Sequence, residues 1–257
     1  MRILQEEMQA LSARDMLVIW EVGQHEQVVD KALILLALVW PSPSPDALSA
    51  LTIGQRNACL LALRQKTLGP RAQGFARCPS CREKLEFAID IQSILPSEYV
   101  EPVEPEEHPE PIYTLDVEAY HLRFRLPTCA DLAASGQFAD LQAGRTFFLE
   151  RCVIQACKDQ QAVTVTDIPE EILQELAGTI IEHDPLAEIE IALQCPACQE
   201  RWSILFDIVS FFWAELTAQA RRLMHDVHAL ASAYGWRERD ILALSSARRK
   251  FYRELIR

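Results

Sequence analysis

A doubled cysteine motif constrains the fold of this chain more than any other feature of its sequence. Cys78-Pro79-Ser80-Cys81 is followed, 117 residues later, by Cys195-Pro196-Ala197-Cys198. Three further pairs repeat with the same displacement: Glu83 and Glu200, Asp90 and Asp207, Ile91 and Ile208. The repetition predicts two copies of a strand–knuckle–strand unit, each with a cysteine pair at the tip of a hairpin.

The spacing of the cysteines favours one closed metal site shared by both hairpins. A Cys-Pro-x-Cys turn places two thiolates on one side of a tight hairpin. Two facing hairpins then supply a tetrahedral set of sulfurs about 2.3 Å from a zinc ion. We therefore predict one structural Zn²⁺ ion, bound by Cys78, Cys81, Cys195 and Cys198. Four thiolates leave no open position, which catalytic zinc usually keeps for water or substrate.

Other cysteine chemistry stays open as an alternative. Redox-active CxxC pairs, disulfides, other metals and an iron–sulfur cluster all use cysteine. No thioredoxin-like βαβ pattern surrounds either pair, and the hairpin spacing favours zinc over a cluster. The remaining cysteines lie on or beside apolar helical stretches, where buried and unreactive thiols are expected. They are Cys59, Cys129, Cys152 and Cys157.

The sequence contains no constellation typical of an enzyme. The chain has only eight glycines and none of the glycine-rich loops that cradle phosphates. It shows no nucleophile elbow and no cysteine with a histidine within one helical turn. We expect a protein without catalytic residues and without a small-molecule substrate.

The charge distribution argues against nucleic acid as the main partner. The formal net charge is -12, whereas nucleic-acid-binding proteins usually carry a basic face. From Val209 onward, however, nine Lys/Arg residues outnumber five Asp/Glu residues. An acidic body with a basic tail suggests an oriented contact with a partner, although a solvated helix face explains it equally well.

No membrane segment is expected. The N-terminus lacks the pattern of a signal peptide, and the most apolar run, Ala32 to Trp40, is too short to span a bilayer. We expect a cytoplasmic protein whose cysteines stay reduced.

The hydrophobic periodicity changes repeatedly along the chain. Residues 85–91 and 120–126 alternate as in half-buried strands, whereas residues 14–39 and 216–234 show helical spacing. We therefore predict an α+β fold, mostly helical, with a small central β unit formed by two zinc-knuckle hairpins. The predicted regions are an N-terminal helical region (1–75), the first zinc hairpin with an acidic Pro/Glu loop and a strand (76–127), a central helical region (128–186), the second zinc hairpin (187–208) and a C-terminal helical arm (209–257).

Local signals place several element boundaries. Thr52 and Gln55 have the spacing of a capping box at the start of a helix, and Gly69-Pro70 ends that helix. Helical spacing also runs over residues 131–156. Between the two predicted strands, Pro96 to Pro111 holds five prolines, six glutamates and no Lys or Arg, which predicts an exposed loop.

Several stretches together resemble a known family. They are Ala50-Leu51-Thr52-Ile53-Gly54-Gln55-Arg56, the doubled cysteine motif, Phe124-Arg125-Leu126-Pro127 with Asp131-Leu132, and Tyr234-Gly235-Trp236 with Arg248-Arg249-Lys250-Phe251-Tyr252. With these, nearly the whole chain resembles the T4-type baseplate proteins, also called baseplate hub assembly chaperones. Members of that family occur in gene clusters of phage-tail-like contractile injection systems.

The resemblance implies a non-enzymatic role in building a baseplate or its hub. The implied partner is a baseplate, hub or spike protein, and the chain would act in the cytoplasm or be incorporated in an assembled particle. A zinc-ribbon adaptor in transcription or nucleic-acid binding is the alternative, since a closed metal site and a basic tail suit it too.

The C-terminal arm is the predicted contact with that partner. Gly235 is expected to turn the chain in a left-handed conformation after a long amphipathic helix, and Trp236 either packs back on the helix or faces the partner. Arginine and aromatic residues are enriched at interface hot spots. The candidate partner-binding residues are Tyr234, Trp236, Arg248, Arg249, Phe251 and Tyr252.

Overall fold

The computed structural model describes residues 8–40, 43–95 and 111–256 of the chain. It is 54% helical and 19% strand, with the strands divided among small sheets. The predicted α+β class with mostly helical content is therefore confirmed. Residues 96–110, which make up most of the predicted acidic loop, lie outside the described residues. Within the described ranges, no helix is long and apolar enough to cross a membrane.

Four helices precede the first hairpin: α1 (Ala13–Gly23), α2 (Val28–Val39), α3 (Pro45–Ser49) and α4 (Ile53–Leu68). The prediction of one helix over residues 14–39 is wrong, because the chain turns after Gly23 and Gln27 is the extended N-cap of α2. A Cβ at Gly23 would lie 2.3 Å from the Trp213 ring. The break lets both helices pack on the long helix that carries Trp213, a contact that hydrophobic periodicity does not encode.

Helix α4 has the predicted ends. Thr52 and Gln55 form the capping box, with each side chain accepting from the other residue's backbone N–H. Gly69 follows the helix with a φ of 94°, a conformation that glycine adopts without strain. Gly54 in the first turn is also required, since a Cβ there would lie 1.8 Å from an Asp184 carboxylate oxygen.

Helix α4 is the centre of the main hydrophobic core, and its polar side chains are therefore paired. Every residue from Arg56 to Arg64 is buried. The Arg64 guanidinium binds both carboxylate oxygens of Glu215, at 2.7 and 2.9 Å. The Asn57 amide donates to the Leu186 carbonyl at 2.7 Å. These bonds offset the cost of removing charged and polar groups from water.

The strands form three separate antiparallel sheets within the described ranges. In chain order they are β1 (Arg71–Arg77), β2 (Lys84–Asp90), β3 (Tyr113–Val117), β4 (Tyr120–Phe124), β5 (Val153–Lys158), β6 (Gln161–Ala162), β7 (Glu190–Gln194) and β8 (Arg201–Leu205). The β1–β2 and β7–β8 pairs are the two predicted cysteine hairpins. The third sheet has the order β3-β4-β5-β6 and was not predicted.

Among the described residues, four α-helices lie between the hairpins: α5 (Ile91–Ile94), α6 (Cys129–Ser135), α7 (Leu141–Cys152) and α8 (Glu170–His183). The predicted helical stretch over residues 131–156 is interrupted between Ser135, where α6 ends, and Leu141, where α7 begins, and it is wrong after Cys152, because Val153 begins β5. There the Arg125 N–H donates to the Cys152 carbonyl at 3.0 Å, and β5 pairs with β4. Pairing with a distant strand overrides the local helical spacing. Phe124 of β4 and Leu176 of α8 are buried together in a second core.

Three helices complete the chain: α9 (Ile208–Tyr234), α10 (Glu238–Leu242) and α11 (Ser246–Glu254). Gly235 has a φ of 67°, so the predicted left-handed turn after the long helix is confirmed. The C-terminal arm packs on the body: α10 and α11 contact α9, and Leu242 packs with Leu17 of α1 and Leu223 of α9.

A buried carboxylate joins the start of α6 to the end of α7. Asp131 is fully buried and accepts hydrogen bonds from the Arg125 guanidinium at 2.6 and 2.9 Å and from Arg151 at 2.6 Å. It also caps α6 through Thr128. Burial alone would raise the pKa of Asp131, but the bonds from Arg125, Thr128 and Arg151 outweigh it and hold the pKa well below its usual range.

We predict that Asp131→Asn lowers the free energy of unfolding at neutral pH by about 3 kcal/mol, since it removes the buried carboxylate that Arg125 and Arg151 both bind. Because the folded-state pKa lies below the unfolded value near 4, the contribution of Asp131 is complete above about pH 4 and is lost as the pH falls further. The variant should therefore also lose part of the acid dependence of unfolding. Denaturant titration across this pH range measures both effects.

Glu170→Gln is the matched control, because Glu170 pairs with Arg145 on the exposed surface. Exposed pairs contribute little to stability, so this substitution should change unfolding far less than Asp131→Asn does. Equal effects of the two substitutions would contradict the importance of the buried carboxylate.

Candidate metal centre

The first hairpin presents its cysteines through a turn closed by backbone hydrogen bonds. The Cys78 N–H donates to the Glu83 carbonyl at 2.9 Å, and the Arg82 N–H donates to the Cys78 carbonyl at 3.0 Å. Arg82 adopts a left-handed conformation with a φ of 66°. An Arg is strained there relative to glycine, so the rest of the turn must hold this conformation.

The second hairpin repeats the same turn. The Cys195 N–H donates to the Glu200 carbonyl at 2.8 Å, and the Gln199 N–H donates to the Cys195 carbonyl at 2.9 Å. Gln199 has a φ of 64°, close to that of its counterpart Arg82. The repeat in sequence is therefore a repeat in backbone conformation.

The two turns meet and bring four sulfurs together. The Sγ atoms of Cys78 and Cys198 lie 3.6 Å apart, and those of Cys81 and Cys195 lie 3.5 Å apart. All four Sγ atoms lie within 4.8 Å of one another. A tetrahedral ion with bonds of about 2.3 Å requires sulfurs separated by about 3.8 Å. Disulfides require about 2.05 Å. The four cysteines are thus placed to bind one metal ion and are not placed as disulfides.

The electrostatics of the cluster favour a bound cation. Backbone N–H groups of Cys198 and Ala197 donate to the Cys195 sulfur and lower its pKa to about 7, against the effect of burial. At Cys81, a bond from the Glu83 N–H also favours the thiolate, but the neighbouring sulfurs outweigh it and raise the pKa to about 12. Four thiolates this close repel one another, and a cation between them removes the repulsion.

A family model described as the T4 bacteriophage base plate protein matches residues 24–213, which is most of the chain and includes both cysteine hairpins. The chain belongs to this baseplate family. Comparison with curated protein sequences and with solved structures gives no match. The match confirms the family resemblance through the second hairpin and the start of α9. Residues 214–257, including Tyr234-Gly235-Trp236, lie beyond it.

In this baseplate-family protein, the metal centre is anchored to the helical core by a second repeated feature. Asp90 caps α5, its carboxylate accepting from the Gln92 N–H at 3.1 Å. Asp207 caps α9 in the same way, accepting from the Val209 N–H at 3.0 Å. Each hairpin therefore leads directly into a helix whose first residue, Ile91 or Ile208, is fully buried.

One side of the centre is buried and the other is exposed to solvent. Cys78 and Cys195 are fully buried, whereas Cys81 and Cys198 are exposed. Leu85 and Trp202 pack with the two buried cysteines. Sequence reasoning did not assign these two residues to the site, although they too are separated by 117 residues and extend the repeat.

The other four cysteines lie apart from the metal centre. Cys59, Cys129 and Cys152 are buried as predicted, and burial raises the pKa of each thiol. The prediction of burial is wrong for Cys157, which is only half-buried on β5 because that residue lies on a strand and not on a helix.

The predicted partner-binding aromatic residues form a cluster where α9 ends. Trp236 stacks on Tyr234 at 4.8 Å between ring centroids and meets the Tyr252 ring edge-on at 4.9 Å. Phe251 lies beside Tyr252 and is 58% exposed. Trp236 is thus half-buried against its neighbours. It is neither fully packed against the helix end nor fully exposed to a partner.

The two predicted arginines occupy different environments. Arg248 is exposed at the start of α11. Arg249 is buried, donates to the Leu244 carbonyl and lies 3.7 Å from an Asp226 carboxylate oxygen. Arg249 therefore holds α11 on α9, which orients the exposed residues next to it.

We predict that Cys198→Ser or Cys81→Ser removes most of the bound metal and lowers the melting temperature. Structural zinc contributes on the order of 10 kcal/mol in small zinc domains, and the loss here should be smaller because the helical core remains. Elemental analysis and thermal denaturation check the two effects. The control is Cys157→Ser, which removes a thiol outside the centre and should leave the metal content unchanged. Equal metal content in all three variants would show that these sulfurs are not the ligands.

Proposed function

We propose that the chain is a non-enzymatic, zinc-stapled component or assembly chaperone of the baseplate of a contractile injection system or phage tail. Family membership supports the role in a baseplate. The four-sulfur cluster supports a bound structural zinc ion and a non-enzymatic role. A complete set of cysteine ligands is typical of zinc that stabilises a fold, because it offers no position for substrate or water.

The same ligand set disfavours catalysis at this centre. Within the described ranges, the four cysteines are the only group of three or more side chains positioned to hold a metal ion. The centre joins segments far apart in the sequence and leads on both sides into buried helix starts. A fixed scaffold of this kind suits a protein that presents a surface to others during assembly.

The surface we assign to the partner lies at the C-terminal end of the chain. We define the C-terminal face as Tyr234, Trp236, Arg248, Phe251 and Tyr252. It combines exposed and half-buried aromatic rings with the cationic side chain of Arg248, residue types that are enriched at interface hot spots. Its charge suits an acidic or apolar surface on another baseplate, hub or spike protein.

Two internal contacts hold this face in shape. The Tyr234 hydroxyl donates to the Tyr252 carbonyl at 3.3 Å, and Arg253 binds Asp226 at 2.7 Å. A face held by its own contacts loses little conformational entropy on binding, which favours affinity. The chain would perform this role in the cytoplasm, before or as it enters the particle.

We predict that Phe251→Ser with Arg248→Glu abolishes the capture of the partner. The double variant removes an exposed ring and reverses an exposed charge without touching the core. The chain is co-expressed with baseplate, hub and spike proteins of a contractile injection system, and the proteins that copurify are measured. The control is Leu141→Ser, which alters a residue that is 90% exposed elsewhere on the surface.

The double variant should keep its metal and its melting temperature but retain none of these proteins, whereas the control retains them. Full retention by the double variant would place the contact elsewhere. Salt-sensitive binding of DNA in place of baseplate proteins would instead favour a nucleic-acid adaptor.

A further inference from the structure

The two cysteine hairpins are not joined into one sheet, and a groove lies between them. β1–β2 and β7–β8 are separate two-stranded sheets. The groove has a volume of about 470 Å³ and is lined by β2 and α5 on one side and by β7 with the residues before it on the other. Among the described residues, each wall thus includes a strand that is paired on one edge only.

The backbone of β7 directs into this groove groups that take no part in the β7–β8 ladder. The Phe206 N–H donates to the Ile189 carbonyl at 2.7 Å, which makes that pair a hydrogen-bonded one. Because such pairs alternate along an antiparallel ladder, Glu190 and Ala192 direct their N–H and C=O groups away from β8. Both residues line the groove.

The opposite wall has the same arrangement. The Ile91 N–H donates to the Pro70 carbonyl at 2.9 Å, so Ala88 directs its backbone groups away from β1. Ala88 also lines the groove. Two strand edges that have no strand partner among the described residues therefore face one space, and an extended chain placed there could pair with their backbone groups.

The side chains of the groove determine which chain suits it. Asp90, Glu188 and Glu190 are three carboxylates among the described residues that line the groove, and these include no Lys or Arg. The floor is apolar and includes Ile89 and Leu186, which are 5% and 4% exposed.

We propose that this groove binds an extended segment of a partner protein in which cationic and apolar residues alternate, added as a strand to the free edge of β7. Main-chain hydrogen bonds supply the affinity, and the carboxylates select lysine or arginine on one side of the added strand. The inference that the partner is a baseplate protein rests on the proposed function. The binding mode rests only on the groove.

The test uses the full-length chain with its metal and a short synthetic peptide in which lysine alternates with valine. Fluorescence anisotropy measures binding, and amide hydrogen exchange of residues 188–194 locates it. We expect protection of the Glu190 and Ala192 amides, weaker binding at higher salt and no binding of the peptide with glutamate in place of lysine.

Ala192 and Ser203 provide matched variants, because they lie opposite each other in the β7–β8 pair. The backbone N–H of each residue points away from the partner strand and makes no hydrogen bond between β7 and β8. Ala192→Pro removes an N–H on the groove side and should weaken peptide binding about tenfold, the effect of one net main-chain hydrogen bond. Ser203→Pro removes the equivalent N–H on the far edge and should leave binding unchanged.

Equal binding by both variants, or no protection of β7, would overturn the proposal. The proposal would also be overturned if the chain self-associates and Ala192→Pro abolishes that self-association, since the occupant of the groove would then be a second copy. Phe251→Ser with Arg248→Glu should bind the peptide normally, which separates a failure of this groove from a failure of the C-terminal face.

Discussion

The contact among four sulfurs is the constraint on which the rest of the structure depends. It joins two turns that are separated by 117 residues, one following α4 and β1 and the other preceding α9. One ion at this point would close the loop between the two halves and reduce the conformational freedom of the unfolded chain. Helices α4 and α9 also meet through the Arg64–Glu215 ion pair, so the metal centre and the core fix the same relative placement.

The two halves of the repeat share a conformation but continue differently. Asp90 and Asp207 both begin a helix, yet α5 has four residues and α9 has 27. Leu95, which precedes Pro96, is extended, as expected before a proline. After Asp207 the sequence instead continues with an amphipathic pattern to Tyr234. The same cap therefore starts a helix in both places, and the residues that follow decide its length.

Local signals in the sequence predicted local structure well. The Thr52 capping box, the left-handed Gly235 and the cysteine turns each depend on residues within a few positions of one another. The meeting of the four cysteines was also predictable, although they lie in distant segments, because the repeated motif indicates two half-sites that are each incomplete alone.

Non-local contacts were not predictable in the same way. Strand β5 follows a helix without a break in hydrophobic spacing, and only its pairing with β4 makes it a strand. The turn after Gly23 depends on the Trp213 ring, and the buried Asp131 depends on two arginines from different elements. A single sequence carries no record of which distant residues meet.

Zinc K-edge X-ray absorption of the purified chain tests the central claim most directly. It measures the type, number and distance of the atoms bound to the ion. We expect one zinc per chain with four sulfur ligands at about 2.3 Å. A folded chain that contains no zinc, or zinc bound mainly by nitrogen and oxygen, would contradict the assignment of Cys78, Cys81, Cys195 and Cys198 as its closed structural site.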